Sequence, residues 1–99
     1  MFGLGGIFVE VMRDVSMRAV PLKPYEAEGM IKEIKGYEVL KGIRGREPAD
    51  IPALSNLLLG ISKLLEECGD RITEFEINPL IVLPQGKGAI AADCLMVLK

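Results

Sequence analysis

Between Asp50 and Gly69 the chain spaces its apolar residues in a way that only a helix turns to one side. Leu54, Leu57, Leu58, Ile61, Leu64, Leu65 and Cys68 fall at offsets 0, 3, 4, 7, 10, 11 and 14. At 3.6 residues per turn these positions form one stripe. Asp50 is a good N-cap, Pro52 suits the first turn and Gly69 closes the helix. The stripe is expected to be core.

A second helix is expected from Pro24, where Glu26 and Glu28 favour the positive helix end. Tyr25, Ala27, Met30, Ile31 and Ile34 give its apolar side, and Gly36 ends it. A helical turn around Glu38-Val39-Leu40 follows, and Lys41 to Pro48 reads as a loop by its glycines, charges and proline. Ahead of these helices, Gly3-Leu4-Gly5-Gly6 leads into Ile7-Phe8-Val9-Glu10-Val11-Met12, whose branched and aromatic residues predict a strand. Arg13-Asp14 would turn it into a returning strand over Ser16 to Val20, ended by Pro21. The last third predicts a hairpin, Thr73–Leu83 against Gly88–Leu98, joined by Pro84-Gln85-Gly86-Lys87. The expected fold class is therefore α+β: an antiparallel four-stranded sheet with two main helices on one face, in the order β-β-α-α-β-β.

The hairpin holds the most informative constellation. Across a four-residue turn Leu83 opposes Gly88, and counting back sets Asn78 opposite Asp93. Directly opposed residues point to the same side with Cβ atoms about 5 Å apart. Glu76 lies one step along that face, together with Glu74 and Leu80, whereas Phe75, Ile77, Ile81 and Leu83 take the other face. Two carboxylates and an amide carbonyl without a basic partner suit a hard cation such as Mg²⁺, which completes its shell with water and nucleotide phosphates. A solvated polar sheet face accounts for the same residues, and spacing alone does not decide between them.

Other signals narrow the function. The chain has 99 residues, enough for one compact domain, yet 49% are hydrophobic, which fits either packing on a partner or a small thermostable domain with a dense core. The net charge of −2 without a basic cluster argues against nucleic acid as the main partner. No apolar run reaches membrane-spanning length, and Met1-Phe2-Gly3 lacks the basic start of a secretory signal. Cys68 and Cys94 fit no metal or redox spacing, so a cytoplasmic location is expected. Histidine is absent, which removes from this chain every mechanism needing an imidazole. Gly3, Gly5 and Gly6 suggest a phosphate loop, but they precede an expected strand, where a Gly-rich bend serves equally. Arg44 and Arg46, between Gly42 and Pro48, could contact an anion such as a phosphate or CoA, or form a solvated loop.

Glu76-Ile77-Asn78-Pro79-Leu80, followed a hairpin later by Asp93, resembles the metal-binding end of ATP-grasp subunits in the succinyl-CoA synthetase and ADP-forming acyl-CoA synthetase superfamily. Phe2 to Val11, Leu40 to Arg46 and Pro48 to Ile51 resemble the ADP-forming acetate–CoA ligase group. The resemblance covers residues 1–99, essentially the whole chain, as the C-terminal portion of an ATP-grasp domain. It implies that Asn78 and Asp93 hold Mg²⁺ on the phosphates of ATP or ADP, with Glu76 in the same acidic cluster. It also implies a reaction that interconverts acyl-CoA, ADP and phosphate with free acid, CoA and ATP through a phosphohistidine. That histidine would come from a CoA-binding partner subunit, and the adenine-binding hinge, the phosphate-contacting lysine and the closing lobe from an upstream ATP-grasp half. The expected state is a hetero-oligomer in which this chain alone is inactive. A non-catalytic assembly module and an unrelated regulatory domain are the competing readings.

Overall fold

A computed structural model describes residues 1–99. The chain runs β1 (Phe2–Gly3), α1 (Ile7–Glu10), β2 (Val15–Ser16), α2 (Pro24–Glu33), α3 (Tyr37–Leu40), α4 (Ile51–Cys68), β3 (Ile72–Ile77), β4 (Leu80–Val82), β5 (Ala89–Ala91) and β6 (Cys94–Leu98). The α+β class holds. The single four-stranded sheet does not, because the strands form three separate two-stranded antiparallel ladders, β1–β2, β3–β6 and β4–β5.

The helices begin and end where the local chemistry requires. In α2, Pro24 sits in the first turn and the Glu26 carboxylate accepts from the Lys23 N–H at 3.0 Å. Its inner side buries Ala27, Met30 and Ile31. In α4, the Asp50 carboxylate accepts from the Ala53 N–H at 3.1 Å, one of the amides that an N-terminus leaves without a helical partner. The Gly69 N–H closes the far end on the Leu65 carbonyl at 2.9 Å.

The core lies where α2, α3 and α4 meet, around Ile31, Ile34, Leu40 and Leu54. Phe2 and Leu4 from the N-terminal unit and Leu80 from the hairpin pack against it. Burying Ile31 and Leu54 contributes about 1.5–3 kcal/mol each. The leucine stripe of α4 is thus only partly core: Leu54 is buried, while Leu57, Leu58, Ile61, Leu64, Leu65 and Cys68 are half-buried. The strands that face α4 are short and leave that side partly open. The other buried positions of α4 are Ser55 and Ser62. Ser62 Oγ accepts from the Leu22 N–H at 2.7 Å and ties the lead-in to α2 onto α4.

The N-terminal unit differs from expectation. Residues 7–12, read as a strand, form the short helix α1 and a turn, and the returning strand shrinks to Val15–Ser16. Gly5 and Gly6 adopt φ 81° and 55°, and the Gly6 carbonyl accepts from the Val9 and Glu10 amides. That left-handed bend, open to glycine without steric cost, reverses the chain and prevents an extended run. Asp14 then fastens the unit to α2, since its buried carboxylate accepts from the Lys35 and Gly36 amides at 2.7 Å each. Ser16 Oγ adds a donor to the Met30 carbonyl at 2.6 Å. No helix is long and apolar enough to cross a membrane.

Candidate functional site: the acidic end of the C-terminal hairpin

From Glu74 to the turn the hairpin keeps one register, which shifts only between Ile72 and Glu74 at the far end of β3. Val82 pairs with Ala89, Ile81 with Ile90 and Leu80 with Ala91 in β4–β5. Ile77 pairs with Cys94 and Glu76 with Leu95 in β3–β6. The Leu83 N–H donates to the Gly88 carbonyl at 2.9 Å, which closes the turn as expected. Between the two ladders the Asn78 N–H donates to the Asp93 carbonyl at 3.0 Å, and the Ala92 N–H to the Pro79 carbonyl at 3.0 Å. Asn78 and Asp93 therefore stand opposite each other. Pro79 has no N–H to give to a ladder, so regular pairing stops there and a short gap separates the two sheets.

That gap changes the faces. In β3 the half-buried residues are Phe75 and Ile77, and in β4 they are Leu80 and Val82. The alternation slips by one across Asn78-Pro79, so Leu80 turns inward onto the core while Ile81 is 49% exposed. Leu80 does not share the acidic face, contrary to uninterrupted alternation through the proline.

Glu76, Asn78 and Asp93 are all exposed. One Asp93 oxygen accepts from the Cys94 N–H at 2.9 Å, which orients the carboxylate and leaves its second oxygen free. The ion pairs of the chain are Arg18–Glu33 and Lys41–Glu38, so no cation neutralises Glu76 or Asp93. No three His, Cys, Asp or Glu side chains come together, so at most two carboxylates and one amide meet at this end. All three donors are oxygen. Such a set fits Mg²⁺, which uses one or two protein carboxylates, and it does not fit a thiolate- or imidazole-preferring metal.

Gly3, Gly5 and Gly6 make no hydrogen bond to this hairpin. They belong to the β1–α1–β2 unit on α2, and α1, with four residues, is too short to act as an anion-binding helix end. Arg44 and Arg46 are exposed on the loop before Ala49, whose base joins the hairpin at its turn through an Ala49–Pro84 bridge. Two open apolar hollows lie elsewhere, one lined by Leu64, Cys68, Ile72, Met96 and Leu98, the other by Ala53, Leu57, Leu80 and Ala89. Neither contains the acidic residues.

Asp50 has a role that its reading as an N-cap missed. Its second oxygen accepts from the Gly88 N–H at 2.7 Å, across 38 positions of sequence. The Gly88 and Ala53 amides hold its carboxyl below the usual carboxylate range, against the opposing effect of burial. One side chain thereby anchors both α4 and the turn that sets the register. Sequence spacing signals the cap but carries no trace of the distant partner.

The ATP-grasp domain model matches residues 1–98. The chain is 48% identical over 99 residues to the beta subunit of ADP-forming acetate–CoA ligase II of Pyrococcus furiosus, covering 100% of this chain and 42% of that protein. It is 44% identical over 98 residues to ADP-forming acetate–CoA ligase I of Archaeoglobus fulgidus, covering 99% of this chain and 14% of that protein. Among solved structures, a Pyrococcus horikoshii protein superposes with a TM-score of 0.91 at 46% identity, over 98% of this chain and 40% of its own. A dinucleotide-forming acetyl-coenzyme A synthetase of Candidatus Korarchaeum cryptofilum, in complex with coenzyme A and Mg-AMPPCP, gives 0.89 at 43% identity, over 98% and 44%. The chain spans less than half the length of these relatives. With the domain model matching residues 1–98 and identities of 44–48% over essentially the whole chain, the chain belongs to the ATP-grasp domain family.

Proposed function

We propose that this chain is the metal-binding portion of the ATP-grasp domain of an ADP-forming acyl-CoA ligase, acetate being the acyl group its relatives suggest. The observation that carries this reading is the opposition of Asn78 and Asp93, with the Asn78 N–H on the Asp93 carbonyl at 3.0 Å and Glu76 nearby in β3. Asn78 Oδ1, the free oxygen of Asp93 and the Glu76 carboxylate would hold Mg²⁺. When bound with ATP or ADP, the ion neutralises charge on the transferring phosphoryl group. The chain's own task is to keep these oxygens together: Asp50 fixes the turn, the hairpin fixes the register, and Leu80 fixes the hairpin on the core.

The remaining parts of the reaction lie outside residues 1–99. A phosphohistidine cannot come from a chain without histidine. The reading therefore calls for an upstream ATP-grasp half and a CoA-binding, phosphohistidine-bearing subunit, in a cytoplasmic hetero-oligomer. Exposed Leu95, Met96, Val97 and Leu98 on β6 support contact with further protein. That same surface suits a non-catalytic assembly module, and the test separates the two.

The test reconstitutes the chain with the upstream half and the phosphohistidine subunit, then follows CoA release from acetyl-CoA in the presence of ADP, phosphate and Mg²⁺. The expected result is activity that requires this chain and is lost in N78A/D93A while the complex still assembles. Full activity in that double variant would sink the catalytic reading and leave the assembly module.

A further inference from the structure

The loop between α3 and Ala49 has an unusual backbone. Gly42, Arg44 and Gly45 have φ of 89°, 53° and 76°, while Ile43 and Arg46 stay on the negative side. Arg44 and Gly45 are the central residues of a turn with positive φ at both, and successive N–H groups in such a turn conformation form a concavity, the nest arrangement that binds anions. The loop is held in this shape by the Gly42 N–H on the Val39 carbonyl at 3.2 Å and the Arg46 N–H on the Ile43 carbonyl at 3.1 Å. Its base is closed by the Ala49 N–H on the Leu40 carbonyl at 2.9 Å. The Ile43, Arg44 and Gly45 amides donate to no backbone carbonyl, and no side chain takes them.

The side chains repeat the message. Arg44 and Arg46 enter no ion pair, and Glu47, the one carboxylate between Lys41 and Pro48, pairs with neither. Glycine would adopt the left-handed conformation at position 44 without steric cost, whereas arginine bears a cost and brings a guanidinium. Three free amides and two free guanidinia within four residues make a concentrated donor set without an acceptor in the chain.

We propose that Ile43–Arg46 is a phosphate-binding nest, taking a phosphate monoester or pyrophosphate through these amides and the two guanidinia. Arginine matches the geometry of phosphate oxygens with paired N–H donors. The loop base is fixed to the hairpin turn by the Ala49–Pro84 bridge, the Asp50 N–H on the Leu83 carbonyl at 2.8 Å and the Gln85 N–H on the Pro48 carbonyl at 2.9 Å. Asn78 and Asp93 lie at the other end of β4–β5, about 15 Å along the strands. With its base at the opposite end of β4–β5 from the acidic residues, the nest is assigned a phosphate group of its own, and the assignment does not depend on the ligase reading.

The test is a titration of the ¹⁵N-labelled chain with inorganic phosphate, with KCl of matched ionic strength as the reference, followed by amide NMR. The Ile43, Arg44 and Gly45 amide signals should shift saturably with phosphate and not with KCl. R44Q/R46Q should weaken the binding at least about tenfold with an unchanged circular dichroism spectrum, since each charge-assisted contact is worth about that factor. Parallel titrations with CoA, dephospho-CoA and ADP distinguish the source. Tighter binding of CoA than of dephospho-CoA supports a ribose 3′-phosphate, and equal tight binding of all three supports a pyrophosphate. Loop signals that follow ionic strength alone, or a double variant that binds phosphate as well as the parent, would overturn the proposal. So would nucleotide titrations that move only the Asn78 and Asp93 signals, which would leave the metal site untouched.

Discussion

Asp50 and Gly88 are joined by a 2.7 Å hydrogen bond from the Gly88 N–H to the carboxylate that also caps α4. The bond couples the start of the long helix to the turn of the hairpin. Because side chains alternate, a slip of one residue at that turn would separate Asn78 from Asp93. Asp50 thus acts on the candidate metal site from the opposite end of the ladder.

This coupling has a pH signature. The Gly88 and Ala53 amides stabilise the charged carboxylate and lower its folded pKa. A group with a depressed folded pKa contributes stability that is full above its unfolded value, about 3.9, and lost as pH falls through the folded value. The melting temperature of the parent should drop in acid below about pH 4. D50N should melt lower at neutral pH and show a weaker acid dependence, measured by thermal scans from neutral pH into acid.

Metal binding at the acidic end should be measurable without catalysis. Mn²⁺ can stand in for Mg²⁺ and be followed by paramagnetic broadening in the presence of nucleotide. D93N and N78A should each weaken binding by at least about tenfold, since even outer-shell partners of a metal are worth 10–100-fold. Broadening centred on residues other than 76, 78 and 93 would place the ion elsewhere.

Ser62 offers a test of the α2–α4 contact. It is 2% exposed and accepts from the Leu22 N–H. S62A leaves that amide without a partner and should cost about 1–3 kcal/mol in urea unfolding, whereas S62T, which keeps the hydroxyl, should recover part of the loss.

Leu54 sits at the centre of the core with 2% exposure. L54A should destabilise by about 2–5 kcal/mol, while truncating Leu64, half-buried on the same helix, should cost less. Equal losses at the two positions would mean that the open side of α4 is covered in solution.

Arg18 forks onto Glu33 with contacts of 3.1 and 3.3 Å at the surface. With solvent on both partners, R18A should change stability by no more than about 1 kcal/mol, and added salt should shrink the difference.

Local chemistry determined much of this protein on its own. The start of α4 at Asp50, its end at Gly69 and the start of α2 at Pro24 follow from caps and proline, which act within a few residues. The opposition of Asn78 and Asp93 also follows from sequence, because a four-residue turn leaves one register and pairing propagates it. Backbone bends at Gly5, Gly6 and Pro79, together with long-range contacts, decided the rest. Ile7 to Met12 has strand-forming side chains, yet Gly5 and Gly6 bend it into a helix, and Asp14 fastens the unit to α2 through amides more than twenty positions away. The inward turn of Leu80 depends on the ladder breaking at Pro79 and on a core waiting beneath it. The second partner of Asp50 is an amide 38 positions distant, and hydrogen bonds of that reach leave no periodicity for a sequence to display.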